Sequence, residues 1–172
     1  MELDFIGHHG TDSATAKTIV QSNYFTFSHG EDEWLGYGIY FFNRSPFYAQ
    51  WWAKDYKKYD PYSIIEVEIK VHKDNILDLT LPEGLDVLEK CYSKLAARKR
   101  SAKSFASTVI NDKIVINYIY NNVVKFDLAI GIFKHTSIKY TTLQTYRSRL
   151  EPYQIQLCVR NLDSIKKIRK LP

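Results

Sequence analysis

From Ser63 to Val71 the chain alternates without a break. Ile65, Val67, Ile69 and Val71 fall on one side of an extended backbone, and Glu66, Glu68 and Lys70 fall on the other. A period of two with one charged face is the pattern of a half-buried, antiparallel-type strand. Tyr153 to Arg160 repeats it near the far end of the chain, with Tyr153, Ile155, Leu157 and Val159 inward and Gln154, Gln156, Cys158 and Arg160 outward. Any fold for this chain has to give both strands a covered face.

The intervening segments supply the cover. Leu3 to His8 reads as a first strand, and Thr11 or Asp12 caps a helix with Ala16, Ile19 and Val20 on its apolar stripe. Asn23 to Gly30 is a loop, and Tyr59-Asp60-Pro61 is a break. Ile76 to Leu79 is a short strand. Thr80-Leu81-Pro82-Glu83 opens a helix towards Lys103, and Ser104 to about Asn122 reads as a second helix. Phe126 to Phe133 is a strongly apolar strand, His135 to Leu150 a long polar loop, and Ser164 to Ile168 a last strand. Strands and helices do not alternate regularly, so the expected class is α+β with a mainly antiparallel sheet. At 172 residues the chain reads as one domain, 1–172.

Cys91 and Cys158 are the only cysteines, too few and too far apart for a disulfide framework or a zinc site. They suit a reducing, cytoplasmic setting with no metal. No apolar run approaches membrane-spanning length. The formal net charge is +5, which favours acidic partners. Part of the excess is local, at Lys94, Arg98, Lys99, Arg100 and Lys103 and again at Lys166, Lys167, Arg169 and Lys170. Such clusters fit either a solvated face or a nucleic-acid surface.

Trp34 to Trp52, WLGYGIYFFNRSPFYAQWW, is the densest aromatic stretch. Gly36 and Gly38 flank Tyr37, Ile39 to Phe42 reads as a short buried strand, and Ser45-Pro46 starts a helix. Tyr40, Tyr48, Trp51 and Trp52 are candidates to line a pocket for a flat ring, or else they are core. Upstream, His8-His9-Gly10-Thr11 ends the first strand with a ring donor and acceptor beside a glycine.

The order His9-Gly10-Thr11, then Gly38-Ile39-Tyr40-Phe41, then Tyr48-Ala49-Gln50-Trp51, then a late alternating strand resembles the poly-ADP-ribose-polymerase-like branch of the ADP-ribosyltransferase superfamily. The resemblance covers the N-terminal third by motif and the rest by order. It implies a split antiparallel β-sandwich with flanking helices, holding NAD as co-substrate in a cleft. His9 would hold the adenosine-side ribose, with Thr11 completing the motif. The Gly10 backbone would bind the nicotinamide amide, Tyr40 would stack on the nicotinamide, and Tyr48 and Trp51 would close the site. The implied reaction breaks the nicotinamide–ribose bond through an oxocarbenium-like cation.

The chain departs from the family at the third mark. The family's glutamate falls at Gln156, with Gln154 on the same face. An amide can still hydrogen-bond a ribose hydroxyl but lacks the charge, and charge-assisted bonds are roughly twice as strong. His9, Tyr40 and Gln156 are thus the expected catalytic set, for mono- rather than poly-transfer or for no transfer. Glu151 and the run Glu31-Asp32-Glu33 are other carboxylates in view, the latter expected to be solvated charge. The loop before the late strand would contact the acceptor through Tyr146, Arg147 and Arg149, with Gln154 beside it. Arg grips phosphates and Tyr stacks on bases, which favours RNA or single-stranded DNA over protein. A bacterial toxin or phage-defence effector with a neutralising antitoxin is the expected setting. A non-catalytic NAD, ADP-ribose or nucleic-acid binding module and an NAD hydrolase remain as alternatives.

Overall fold

The computed structural model describes residues 1–27, 30, 33–101, 109–134 and 152–172. Strand β1 (Glu2–Asp12) leads into helix α1 (Ser13–Ser22), and β2 (Ile39–Asn43) leads into α2 (Pro46–Gln50), which runs on as a π-helical turn at Trp51–Tyr56. Then follow β3 (Tyr62–His72), β4 (Ile76–Asp78), α3 (Pro82–Ser101), α4 (Asp112–Asn122), β5 (Leu128–Lys134), β6 (Tyr153–Val159) and β7 (Ile165–Lys170). The helix starts follow from local chemistry. The Asp12 carboxylate accepts the Thr15 N–H at 2.9 Å, and the Ser45 hydroxyl accepts the Tyr48 N–H at 3.2 Å with Pro46 behind it. Each cap satisfies a donor that the first helical turn leaves without a partner.

Among the described residues the strands form one seven-stranded sheet in the order β4-β5-β6-β2-β1-β3-β7. Every neighbouring pair is antiparallel except β4 with β5. The class is α+β, as the sequence predicts. β1 pairs with β3 along its whole length, from Glu2 opposite His72 to Asp12 opposite Tyr62. With β2 it pairs at two positions only, Gly7 with Asn43 and His8 with Phe42. That seam divides the sheet.

Two apolar cores account for the shape. The first holds Ile65, Val67, Ile69 and Val71 of β3 together with Ile39 and Phe41 of β2, Leu128 and Ile130 of β5, Leu157 and Val159 of β6, and Ala16 and Ile19 of α1. Residues from both ends of the sheet share this cluster, so the two halves fold towards each other across the seam. The second core lies on the other face of the β5-β6-β2 half, where Ala129 and Cys158 meet Val115, Ile116 and Ile119 of α4 and Cys91 of α3.

Four expectations change. The first strand runs past His8, and His9, Gly10 and Thr11 pair with β3 as its closing residues before Asp12. Cys158, expected outward, is fully buried, because α3 and α4 cover the second face of β6. Burial pushes its thiol up to about 12, which makes it a packing group and not a nucleophile. Tyr153 and Ile155, expected inward, lie at the exposed end of β6, beyond the reach of the first core. The helix expected from Ser104 begins only at Asp112, with Asn111 as its cap; residues 102–108 lie outside the described residues.

Leu157 is fully buried where the two halves meet. Leu157→Ala is expected to lower stability by about 2–5 kcal/mol, read from the urea unfolding midpoint. Ile155→Ala, two residues away on the exposed end, is expected to cost much less.

Candidate functional site

Beyond His8 the β1–β2 register ends. Continued, it would set Gly10 opposite Tyr40. Instead the His9 side chain crosses the gap, with Nδ1 2.8 Å from the Tyr40 carbonyl oxygen. A carbonyl only accepts, so the proton sits on Nδ1 and Nε2 is left as an acceptor. His9 packs edge-on against Phe25 and Phe41, at 5.6 Å and 5.8 Å between ring centres. Burial lowers its pKa, partly offset by the carbonyl bond, so the imidazole is neutral near pH 7.

Backbone direction alternates along β1. The Ile6 carbonyl accepts the Arg44 N–H at 2.8 Å on the β2 side, and the Ser13 N–H donates to the Pro61 carbonyl at 3.0 Å on the β3 side. The same alternation turns the Gly10 N–H and C=O towards β2, into the gap where pairing has stopped. A Cβ at Gly10 would stand 2.0 Å from the Ala49 carbonyl oxygen. Glycine is therefore required here by the close approach of α2, a reason the sequence alone does not give.

The gap opens into a cleft of about 790 Å³, within the ~300–1,000 Å³ usual for small-molecule sites. One wall is the end of β1 with α1, lined by Thr11, Thr15, Thr18 and Ser22; the Thr18 hydroxyl donates to the Ala14 carbonyl at 3.2 Å and the Ser22 hydroxyl lies 3.4 Å and 3.3 Å from the Ile19 and Tyr24 carbonyls. The facing wall is β2 from Ile39 to Phe42, with Gln156 of β6 beyond it. Tyr24, Phe25 and Glu33 close one side, and Trp52, Lys57 and Tyr59 the other.

Tyr40 does two jobs. Its half-buried ring lines the cleft. Its hydroxyl accepts the Leu35 N–H at 2.8 Å and donates to the Gly36 carbonyl at 2.6 Å. Burial, reinforced by the neighbouring Cys158 thiol, raises its pKa well above the usual tyrosine value, so the hydroxyl stays protonated. It ties down the glycine turn, where Gly36 has φ +84° and a Cβ would collide with Arg160.

The structure sorts the expected site residues. It brings His9, Gly10, Thr11, Tyr40 and Gln156 to one cleft. Tyr48 and Trp51 are not among the lining residues. Tyr48 packs on Phe42 and Phe47, and Trp51 on Tyr56. Of the two tryptophans it is Trp52, the second residue of the π-helical turn, that lines the cleft. Gln154 also stands apart from the lining, and its side-chain oxygen is buried without a hydrogen-bond partner among the described residues. Tyr146, Arg147, Arg149 and Glu151 lie outside the described residues, as do Glu31 and Asp32.

Glu33 corrects the expectation of solvated charge. It is 3% exposed, accepts the Gly30 N–H at 2.6 Å and pairs with Lys113 of α4 at 3.0 Å. Of the basic clusters, the β7 group is partly neutralised by β3: Lys167 meets Glu68 at 3.2 Å and Arg169 meets Glu66. In the α3 group, Lys94 and Arg98 lie over the Tyr118 ring, each at 5.8 Å. Trp52, named among the candidates for a flat-ring pocket, does line the cleft, whereas sequence reasoning missed Lys57 and the α1 residues Thr15, Thr18 and Ser22. Thr15, Thr18 and Ser22 recur at helical spacing beside Ile19 of the apolar stripe, a signal that was present.

Among the described residues no helix is long and apolar enough to cross a membrane, and no group of three or more His, Cys, Asp or Glu side chains is placed to hold a metal ion. The chain is similar to the uncharacterized protein MJ0359 of Methanocaldococcus jannaschii, 28% identical over 94% of this chain and 84% of that protein. No family profile and no solved structure matches.

Tyr40→Phe removes one partner from each of two backbone groups. It is expected to lower stability by about 1–3 kcal/mol, read by urea unfolding. His9 gives a pH dependence. Its folded pKa lies below the ordinary 6.5, so above that pH both folded and unfolded states are neutral and nothing is lost. As the pH falls through that value the unfolded chain takes the proton first and stability drops. Urea midpoints between about pH 7.5 and pH 5.5 should fall for the native protein and fall less steeply for His9→Gln.

Proposed function

We propose that the chain is an NAD-dependent mono-ADP-ribosyltransferase, on a folded-back sheet of the split-sandwich kind that its motifs imply. The observation that carries this reading is the interrupted β1–β2 seam. It leaves a neutral His9 Nε2 as an acceptor, turns the Gly10 amide into the gap, and sets both beside the half-buried Tyr40 ring. These groups suit the parts of a nicotinamide dinucleotide. Nε2 can accept from a ribose hydroxyl, the Gly10 N–H and C=O can bond a carboxamide, and the Tyr40 ring can stack on a flat heterocycle. Thr11, Thr15, Thr18 and Ser22 line the wall along which such a ligand would lie.

The reaction exchanges one bond for another. The bond between nicotinamide nitrogen and ribose carbon breaks, that carbon bonds to an acceptor oxygen or nitrogen, and the acceptor's proton leaves to solvent. Gln156 lines the cleft where a carboxylate would stabilise developing positive charge. Its amide orients a hydroxyl without supplying that charge, and preorganised electrostatics is usually the largest catalytic contribution. The same amide favours the second reading, a module that holds NAD or ADP-ribose without splitting it. The cellular role that fits the transferase reading is a toxin or defence effector restrained by a neutralising partner.

Incubation with NAD labelled in the adenylate half, together with RNA, DNA and cell protein, separates the readings. The expected result is label on a macromolecule, lost in His9→Ala. Gln156→Glu is expected to raise nicotinamide release about tenfold or more. Tight calorimetric binding of NAD with no nicotinamide released by either protein would establish the binding module and end the transferase reading.

A further inference from the structure

Tyr24, Tyr40 and Tyr59 all line the cleft. Tyr40 and Tyr59 are half-buried, and the Tyr40 hydroxyl is tied to Leu35 and Gly36. Tyr24 differs from both. It is 55% exposed, and among the described residues neither its ring nor its hydroxyl meets a partner. Its backbone, in contrast, is held on both sides. Asn23 ends α1 in the left-handed region at φ 52°, with its N–H on the Ile19 carbonyl, an ordinary way to close a helix. The Tyr24 N–H reaches the same carbonyl at 3.3 Å, and the Ser22 hydroxyl lies 3.3 Å from the Tyr24 carbonyl oxygen. On the other side Phe25 is buried against His9 and Phe41, with ring centres 5.6 Å and 5.2 Å away. The fold therefore fixes the chain at Tyr24 and leaves its flat ring uncovered at the cleft wall.

We infer that Tyr24 forms a second aromatic subsite, separate from Tyr40, on which the adenine of the dinucleotide stacks. The inference deepens the proposed donor site and rests on it for the identity of the base. In that site the Tyr40 ring and the Gly10 backbone take the nicotinamide, and His9 Nε2 takes a ribose hydroxyl. Phe25 packs edge-on against His9, and Tyr24 is the next residue, so the base on that ribose comes to the Tyr24 ring. Between Thr15 and Ser22 the α1 wall rises about 10 Å, a length along which the riboses and the pyrophosphate can lie. Stacking needs only the π face of a base, so no hydrogen-bonding group has to accompany Tyr24. A ring on a backbone already fixed loses less freedom when the base arrives.

The test separates the two halves of the ligand. The full chain is titrated calorimetrically with NAD, with ADP-ribose, which lacks the nicotinamide, and with nicotinamide mononucleotide, which lacks the adenine. Tyr24→Ala is expected to weaken NAD and ADP-ribose about tenfold and to leave the mononucleotide unchanged. Tyr24→Phe keeps the ring and is expected to keep all three affinities. A variant damaged in its fold would lose the mononucleotide as well, and thermal melting of each variant checks the fold directly.

Tyr24→Ala binding NAD like the native protein would overturn the subsite. So would equal weakening of NAD and the mononucleotide in a variant that melts like the native protein, because Tyr24 would then serve the nicotinamide half. Nicotinamide release by the native protein, with an unchanged KM for NAD in Tyr24→Ala, keeps the transferase reading and ends the subsite. Binding of ADP-ribose through Tyr24 with no nicotinamide released from NAD does the reverse. A native protein that binds none of the three ligands would overturn both.

Discussion

The site depends on where β1 and β2 stop pairing. Two paired positions join the halves of the sheet, and a third would close the cleft. The competition is between ladders and side chains. β1 satisfies itself fully against β3, so it can release β2 early without leaving a long row of groups unpaired. The Tyr40 carbonyl, which a longer ladder would give to a backbone N–H, is taken by the His9 imidazole. A buried carbonyl without a donor is costly, so the His9 bond is what makes an open seam tolerable. The same bond fixes the tautomer. One interaction thus holds the halves in register, keeps the cleft open and determines which nitrogen of His9 faces a ligand.

Tyr40 sits at the centre of a second set of ties. Its carbonyl holds β1, and its hydroxyl holds Leu35 and Gly36. Gly30 and Glu33 are held again by α4, because Lys113 pairs with Glu33 and donates to the Gly30 carbonyl at 2.8 Å. Asn117, also on α4, accepts the Tyr37 N–H at 3.0 Å and bonds Arg160. The second core therefore does more than cover the sheet: α4 anchors the glycine turn, the turn anchors the Tyr40 hydroxyl, and the ring is left with little freedom except to face the cleft. A ring fixed before a ligand arrives loses less entropy on stacking.

The periodic and capped elements were legible in the sequence because their signals are local. β3 shows in its alternation, α1 and α2 in the Asp12 and Ser45 caps, and β2 in its apolar run. Three features were not legible. The fold-back of the sheet depends on Leu157 and Val159 meeting Ile65 and Val67, a contact between distant segments with no local mark. Glu33 looks solvated in an acidic run and becomes buried only because Lys113 arrives from another helix. The π-turn has no sequence signature, and it is Trp52 of that turn, not Trp51, that lines the cleft. The site was legible where motif order carried it, at His9, Gly10 and Tyr40, and illegible at the π-turn.

Gln156 is best understood through the charges around it. Glu33, the carboxylate among the cleft's lining residues, is engaged by Lys113 and by the Gly30 amide. It is held in the wall, and its charge is largely compensated. On the opposite side Lys57 contributes positive charge. A positively charged ribose forming between them would find one compensated acid, one amide and one ammonium. That arrangement favours binding a phosphate-bearing ligand over speeding its cleavage, because attraction for the anionic ground state lowers energy before the barrier is reached.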